Sequence, residues 1–307
     1  MKLFDLHCDT AMALYSRMVP LKSNGCHISL DKAACFDKYV QLTAFFTSPR
    51  TNDEDGWNQF WRARRRLLDE CDRNGVTLVS SAAELDAFDK SGAKTAFILT
   101  IEDVRMLAGH LERVEQLYEG GVRVITPLWG GETIIGGSHN TDMGLTPFGR
   151  AAVEEMLNVG ITPDISHASF RSTDEILDLC EKHGKSPIAT HMNSYTECAH
   201  TRNLTDERFE RLVKMDGIAG VSLCPPHLLV GEKGCTSDDA VRHFVHYYSL
   251  HADAVAFGCD LDGTDLPGDM QDICDLVMLS EKLAAQGLDV DAVTYGNAYR
   301  FMMKVLG

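Results

Sequence analysis

The sequence predicts an α/β fold, a (β/α)8 TIM barrel with additional C-terminal helices, as a single domain over residues 1–307. Two observations predict it. Short apolar runs of strand length recur eight times, and amphipathic stretches of helical period lie between them. Strands and helices in alternation build parallel sheets. Eight such units in 307 residues fit a closed barrel better than an open sheet.

In chain order, the first run is residues 3–6, which leads into His7-Cys8-Asp9. The others are residues 39–46, 96–101, 122–128, 161–166, 187–190, 218–223 and 255–258. They are rich in Val, Ile, Phe and Thr, and most are bounded by Gly, Pro or Asp, as strands are. Residues 77–80 are a ninth candidate. The polar stretch 48–55, with Pro49 inside and Gly56 after it, reads as an exposed loop. Arg62, Arg64, Arg65 and Arg66 follow Trp57 and Trp61 in a helical stretch and read as a solvated face. Amphipathic helix patterns cover 111–119, 148–158, 173–182, 206–214 and 238–251, the last with Ser237 placed to cap it. Residues 269–286 and 289–306 read as helices that close the outer layer.

Composition narrows the function. The formal net charge is −16, a field that repels nucleic acid and anionic membranes, so neither partner is expected. No stretch nears the ~18 uninterrupted apolar residues of a membrane span. The N-terminus has no apolar core of signal-peptide length. The ten cysteines include no Cys-x-x-Cys pair, which removes the zinc-ribbon and thioredoxin-like readings. A cytoplasmic location with reduced thiols is the expectation.

The ends of the strand runs carry the chemistry. In such barrels the site lies at the C-terminal ends of the strands. There the sequence places His7 and Asp9, Glu102, His167, His191, and Asp260 with Asp262. These side chains bind hard or borderline divalent cations. Residues i and i+2 on a strand share a face, so His7 and Asp9 can serve one ion. Each residue also has an ordinary reading. Asp9 is a strand end entering a capped helix, and Glu102 a helix-first-turn acid. His167 and His191 are core histidines satisfied by carbonyls, and Asp260 and Asp262 turn residues around Gly263. Their common placement at one end of the barrel favours the metal site. His243, His246 and His251 form a rival cluster, with His243 and His246 at helical spacing. No carboxylate is placed to complete it, and surface and packing roles are expected.

With these residues in hand, the sequence resembles the renal (membrane) dipeptidase family of zinc peptidases. The stretches that carry it are FDLHCDT at 4–10, GLTPFGRAAVEEMLNVGITPDISHAS at 144–169, PIATHMNS at 187–194, HTRNLTDERF at 200–209 and AFGCDLDG at 256–263. The resemblance implies two zinc ions per chain, with His7 and Asp9 on one, His167 and His191 on the other, and Glu102 bridging. It implies a hydroxide shared by the two ions as nucleophile and a small dipeptide as substrate. Asp260 matches the acid/base residue that also meets the substrate amine, and Arg202 the arginine that holds the dipeptide carboxylate. A homodimer is what the family implies.

Two positions depart from the family pattern. Trp129 stands in the loop after the fourth strand where the family commonly has a substrate-binding His; His139, ten residues on, is the candidate substitute. Asp103-Val104 stands where Gly-Gly follows the bridging Glu. Trp129 keeps open a binuclear amidohydrolase that cleaves another small amide, an N-acyl amino acid or a lactam. A catalytically inactive metal-binding barrel and a metal-free barrel lyase are the remaining readings.

Overall fold

The computed structural model describes residues 1–307, the side chain of Asp53 excepted. The elements in chain order are β1 Lys2–Cys8, α1 Thr10–Arg17, α2 Leu30–Ala33, β2 Lys38–Phe46, α3 Asp53–Asn74, β3 Thr77–Leu78 and α4 Ala82–Lys90. Then come β4 Thr95–Glu102, α5 Arg113–Glu119, β5 Val122–Thr126, α6 Pro147–Val159, β6 Thr162–Pro163, α7 Phe170–His183 and β7 Ile188–Ala189. The chain closes with α8 Asp206–Lys214, β8 Ile218–Val221, α9 Pro225–Leu228, α10 Ser237–Leu250, β9 Val255–Phe257, α11 Leu276–Ala285 and α12 Asn297–Val305.

All the strand pairings are parallel, in the order β6-β5-β4-β2-β1-β9-β8-β7. The two ends meet where Asp164 pairs with Ile188 and the Ile165 N–H donates to the Ile188 carbonyl at 2.9 Å. Each predicted run therefore holds one barrel strand. The ninth candidate is also a strand, but β3 pairs only with Ala96 and Phe97 of β4, below the point where β5 joins at Leu99. It lies outside the eight-strand ring.

The helices start where local chemistry tells them to. Ser29, Asn52, Ser81, Thr146 and Ser169 each accept a backbone N–H into a first helical turn. The helix predicted over 238–251 forms as α10, but its capping residue is Thr236, in a reciprocal pair with Asp239. Ser237 instead bonds Asp269 through both N–H and Oγ. The predicted loop 48–55 ends early, because Asn52 starts α3. Of the four arginines in the basic run on α3, Arg62 and Arg65 are exposed. Arg64 donates to the Gly120 carbonyl, and Arg66 to those of Leu14 and Val19, so half of the basic run clamps neighbouring segments.

Two apolar layers result. Phe4, Val40, Leu42, Ala96, Ile98, Val124, Ile188, Ile218 and Ala256 fill the barrel, with Phe301 and Met302 of α12 packed against them. The C-terminal helix thus plugs the lumen at the end away from the site. The larger layer lies between strands and outer helices. One irregularity prepares the site: the register of β1 on β2 slips between Asp5 and Cys8. Phe4 pairs with the lumen-facing Val40, and the slip adds a residue before Cys8 pairs with Thr43. Strict alternation would turn His7 away from the lumen if Phe4 faces it; the extra residue lets both face inward.

Candidate metal centre

At the C-terminal mouth the predicted ligands converge. His7 Nε2 lies 3.8 Å from Asp9 Oδ2, 3.9 Å from Glu102 Oε2 and 3.8 Å from Asp260 Oδ1. Glu102 Oε1 lies 2.7 Å from His167 Nε2 and 3.4 Å from His191 Nε2. The two oxygens of Glu102 therefore face two different ligand sets. The atoms fall into three compact groupings: His7, Asp9 and Glu102; Glu102, His167 and His191; and His7, His191 and Asp260.

The ordinary readings can now be tested. Asp9 occupies the N-cap position of α1, yet its side chain makes no capping bond, and Oδ1 is buried without a partner. His7 Nε2 is likewise buried and unpartnered. His167 and His191 do not turn their Nε2 atoms to carbonyls; those atoms sit 2.9 Å apart, beside a carboxylate. His167, Asp260 and Asp262 all have positive φ. His and Asp tolerate that region better than most residues, and strain clusters at functional sites. Gly263 belongs to the same construction, because a Cβ there would overlap the carboxylates of Asp9 and Asp260. Asp262 is engaged elsewhere: it accepts from Thr10 Oγ1 at 2.7 Å and from the His27 N–H at 2.5 Å.

The charges call for cations. Burial, then the Asp9 carboxylate, pushes Glu102 well above the usual carboxylate range, against the pull of His7. Burial, with Asp9, raises Asp260 to about 7, against the pull of His7 and Arg202. Burial alone would push His7 down, but Asp9, Glu102 and Asp260 override it and lift it to about 10. Burial and neighbouring cations hold His167 and His191 well below 6.5, in the neutral form that ligates metal. Crowded carboxylates, neutral imidazoles and unpartnered donor atoms fit divalent ions.

A second layer, which the sequence reading passed over, fixes these ligands. Asp164 accepts the Ser166 and Thr190 N–H groups at 2.9 and 3.0 Å, and the hydroxyls of Thr126 and Thr190. Thr190 Oγ1 also lies 2.8 Å from His191 Nδ1, which leaves Nε2 to face the site. By taking these N–H groups, Asp164 ends the β6 and β7 ladders early and lets His167 and His191 turn inward. Beneath β1, Asp5 accepts from the Cys259 N–H at 2.8 Å. Spacing hinted at both, since Asp5 precedes His7 by two residues and Asp164 precedes His167 by three.

Arg202 is 1% exposed, and none of its three guanidinium nitrogens has a partner. It acts electrostatically on Glu102, Asp260, His167 and His191. A cleft of about 250 Å3 opens over the ligands, lined by Met12, Arg17, Phe46 and Trp129 beside Asp9, Glu102, His167 and Asp260. Trp129 packs on Phe46 at 5.0 Å and lies 6.1 Å from the His167 ring. The His139 N–H donates to the His167 carbonyl at 2.7 Å, and its ring lies 5.8 Å from that of His167. The rival histidines separate: His243 bonds the Ser194 N–H and the Leu228 carbonyl, His246 pairs with Asp206, and His251 with Glu210.

Fold and site together define a barrel with a carboxylate–imidazole centre of metal-ligand type at its C-terminal mouth. The profile of the membrane dipeptidase family, peptidase family M19, matches residues 1–306, and the chain belongs to that family. An uncharacterised dipeptidase of Schizosaccharomyces pombe is 29% identical over 229 residues, 71% of this chain and 53% of the relative. A Klebsiella pneumoniae protein encoded in the pqqA 5' region is 27% identical over 267 residues, 81% of this chain and 95% of the relative. The chain spans about half the length of the fungal relatives it matches. Among solved structures, the metallopeptidase dipeptidase AC superposes with TM-score 0.90 at 23% identity, covering 100% of this chain and 99% of the other. A Rhodobacter sphaeroides metallopeptidase, bound to a phosphinate mimic of L-Ala-D-Ala, gives 0.89 at 22%, with 99% of each covered. These two show a shared fold. Among the described residues, no helix is long and apolar enough to cross a membrane.

Proposed function

We propose that this chain is a dipeptidase that holds two zinc ions, His7 and Asp9 on one, His167 and His191 on the other, with Glu102 between them. Bound metal would lower the pKa of a ligated water towards ~7 and polarise the scissile carbonyl. The chain's own residues do the rest. Arg202 pairs with the free carboxylate of a dipeptide in the bidentate manner of a guanidinium. Asp260, beside the ligands and raised to about 7, takes a proton and returns it to the leaving amine. Asp164 and Thr190 hold the imidazoles in place.

The observation that carries this reading is Arg202. A fully buried guanidinium with no partner is unfavourable unless an anion completes it. The Glu102 and Asp260 carboxylates act on it electrostatically, which sets the anion it receives near the proposed metal ligands. A short peptide ending in a carboxylate meets both. The apolar wall of Phe46 and Trp129 supports one second reading, an N-acyl amino acid, which carries the same carboxylate. The test is a panel of dipeptides with L- or D-residues at the C-terminus, beside N-acyl amino acids, assayed before and after chelation and zinc restoration. Dipeptide cleavage lost on chelation and recovered with zinc is the expected result. Cleavage of acyl amino acids alone would replace the substrate, and no metal dependence would end the proposal.

A further inference from the structure

Three imidazoles beside Arg202 have no part in the reading above. His139, His200 and His227 continue a chain of rings outward from His167, with centroid separations of 5.8, 6.2 and 5.0 Å. All three interact electrostatically with Arg202. Among the described residues no carboxylate bonds the Arg202 guanidinium, and His139 Nδ1 is buried without a partner.

One hydrogen bond orders this cluster. The backbone N–H of Arg202 donates to His200 Nδ1 at 3.1 Å. A ring nitrogen that accepts uses its lone pair, so the proton of the neutral ring sits on Nε2. Burial, then the Arg202 charge, keeps His200 below its ordinary value and therefore neutral near pH 7. Among the described residues, no protein atom bonds Nε2. His200 thus offers a fixed N–H donor within the same cluster as the unpartnered guanidinium. The two residues are tied by the backbone bond itself, which limits how far one can move without the other.

We propose that His200 is a specificity-determining residue whose Nε2–H binds the same substrate carboxylate as Arg202. The inference rests on the dipeptidase reading and adds to it a third donor. A carboxylate offers about four lone-pair sites, enough for the guanidinium fork and one imidazole N–H. An amidated C-terminus would bring its own N–H groups against these donors and leave them unmet. His200 with Arg202 therefore selects free acids over amides and over longer chains, in which that carbonyl carries an amide nitrogen.

The test uses zinc-loaded protein, alanyl dipeptides with free or amidated C-termini, and a phosphinate dipeptide mimic as a calorimetric probe. His200→Ala is expected to raise KM for the free acid about ten- to hundredfold, the loss of one charge-assisted hydrogen bond. Zinc content and kcat should stay within about twofold, the amide should be affected little, and the mimic should weaken in parallel. His200→Gln, which keeps a side-chain N–H donor, should recover part of the loss. An unchanged free-acid KM in His200→Ala, with wild-type protein active, would overturn the inference and leave the dipeptidase reading intact. Equal losses on acid and amide, with lower zinc content, would make His200 a structural residue and overturn it too. Wild-type protein that neither cleaves dipeptides nor binds the mimic would remove the dipeptidase reading and this inference with it.

Discussion

Replacing Arg202 with Met should make the protein more stable and less active at once. The guanidinium is 1% exposed and none of its nitrogens is bonded. Burial alone pushes its pKa down, and the more distant Glu102, Asp260 and Asp164 carboxylates only partly offset that. Exchanging buried ionic groups for apolar ones of similar volume can stabilise by about 1–4 kcal/mol. For a chain of this length about 1 kcal/mol moves Tm by roughly 2 °C, so the variant should melt several degrees higher. The same change removes two charge-assisted bonds to the substrate carboxylate. At about 1.5–3 kcal/mol each, kcat/KM for dipeptides should fall by about 10²–10⁴. Calorimetry on zinc-loaded protein and steady-state kinetics read the two effects separately. Opposite signs identify a residue whose partner is the ligand. A lower Tm with unchanged kcat/KM would refute the argument and make Arg202 a structural cation.

Four further outcomes follow from the site and its surroundings. Chelation should lower Tm, since ligands bound only by the folded state contribute about 2.7 kcal/mol at a hundred times Kd; an unchanged Tm would remove the metal from the centre. Glu102→Gln should reduce measured zinc content by about half or more, because one oxygen becomes a non-ligating NH2 and the other loses its negative charge; full occupancy would show that Glu102 does not ligate. Asp260→Asn should retain zinc and lose about 10²–10⁴ in kcat, the usual worth of a positioned acid/base group, and near-normal turnover would reassign the role. Away from the ligands, burial holds His243 at about 4 instead of 6.5. A histidine depressed in the folded state contributes stability that is complete above pH 6.5 and is lost as pH falls towards 4, in total about 3 kcal/mol. His243→Gln should therefore flatten the acid limb of a stability profile; identical limbs in both proteins would disprove it.

The barrel was legible because eight apolar runs recur with helical stretches between them, and the candidate site residues because they stand at the ends of such runs. The limits of that reading are physical. Short strands such as Thr162–Pro163 end where Asp164 captures two N–H groups, a tertiary event that no periodicity announces. Face alternation along β1 places Phe4 and His7 on opposite sides, and only the register slip seen in the pairing brings both inward. Arg64 and Arg66 read as solvated because the carbonyls they clamp lie about 50 residues away in the chain. Ser237 and Thr236 are both good caps, and Asp269, distant in sequence, decides between them by occupying Ser237.

The two departures from the family pattern prove to be one structural unit. Asp103 follows Glu102 directly with φ 66°, the left-handed region that a glycine enters more easily. Its side chain offsets that cost: Oδ1 accepts the Arg105 N–H at 3.0 Å, and Oδ2 pairs with the Arg105 guanidinium. Arg105 in turn reaches the Gly130 carbonyl at 3.4 Å, at the root of the loop that carries Trp129. Asp103 thus positions the guanidinium that reaches this loop. Trp129, so anchored, packs on Phe46 and closes one side of the cleft with an apolar wall. Asp103, Arg105 and Trp129 therefore act together on one wall of the cleft, beside the candidate ligand set.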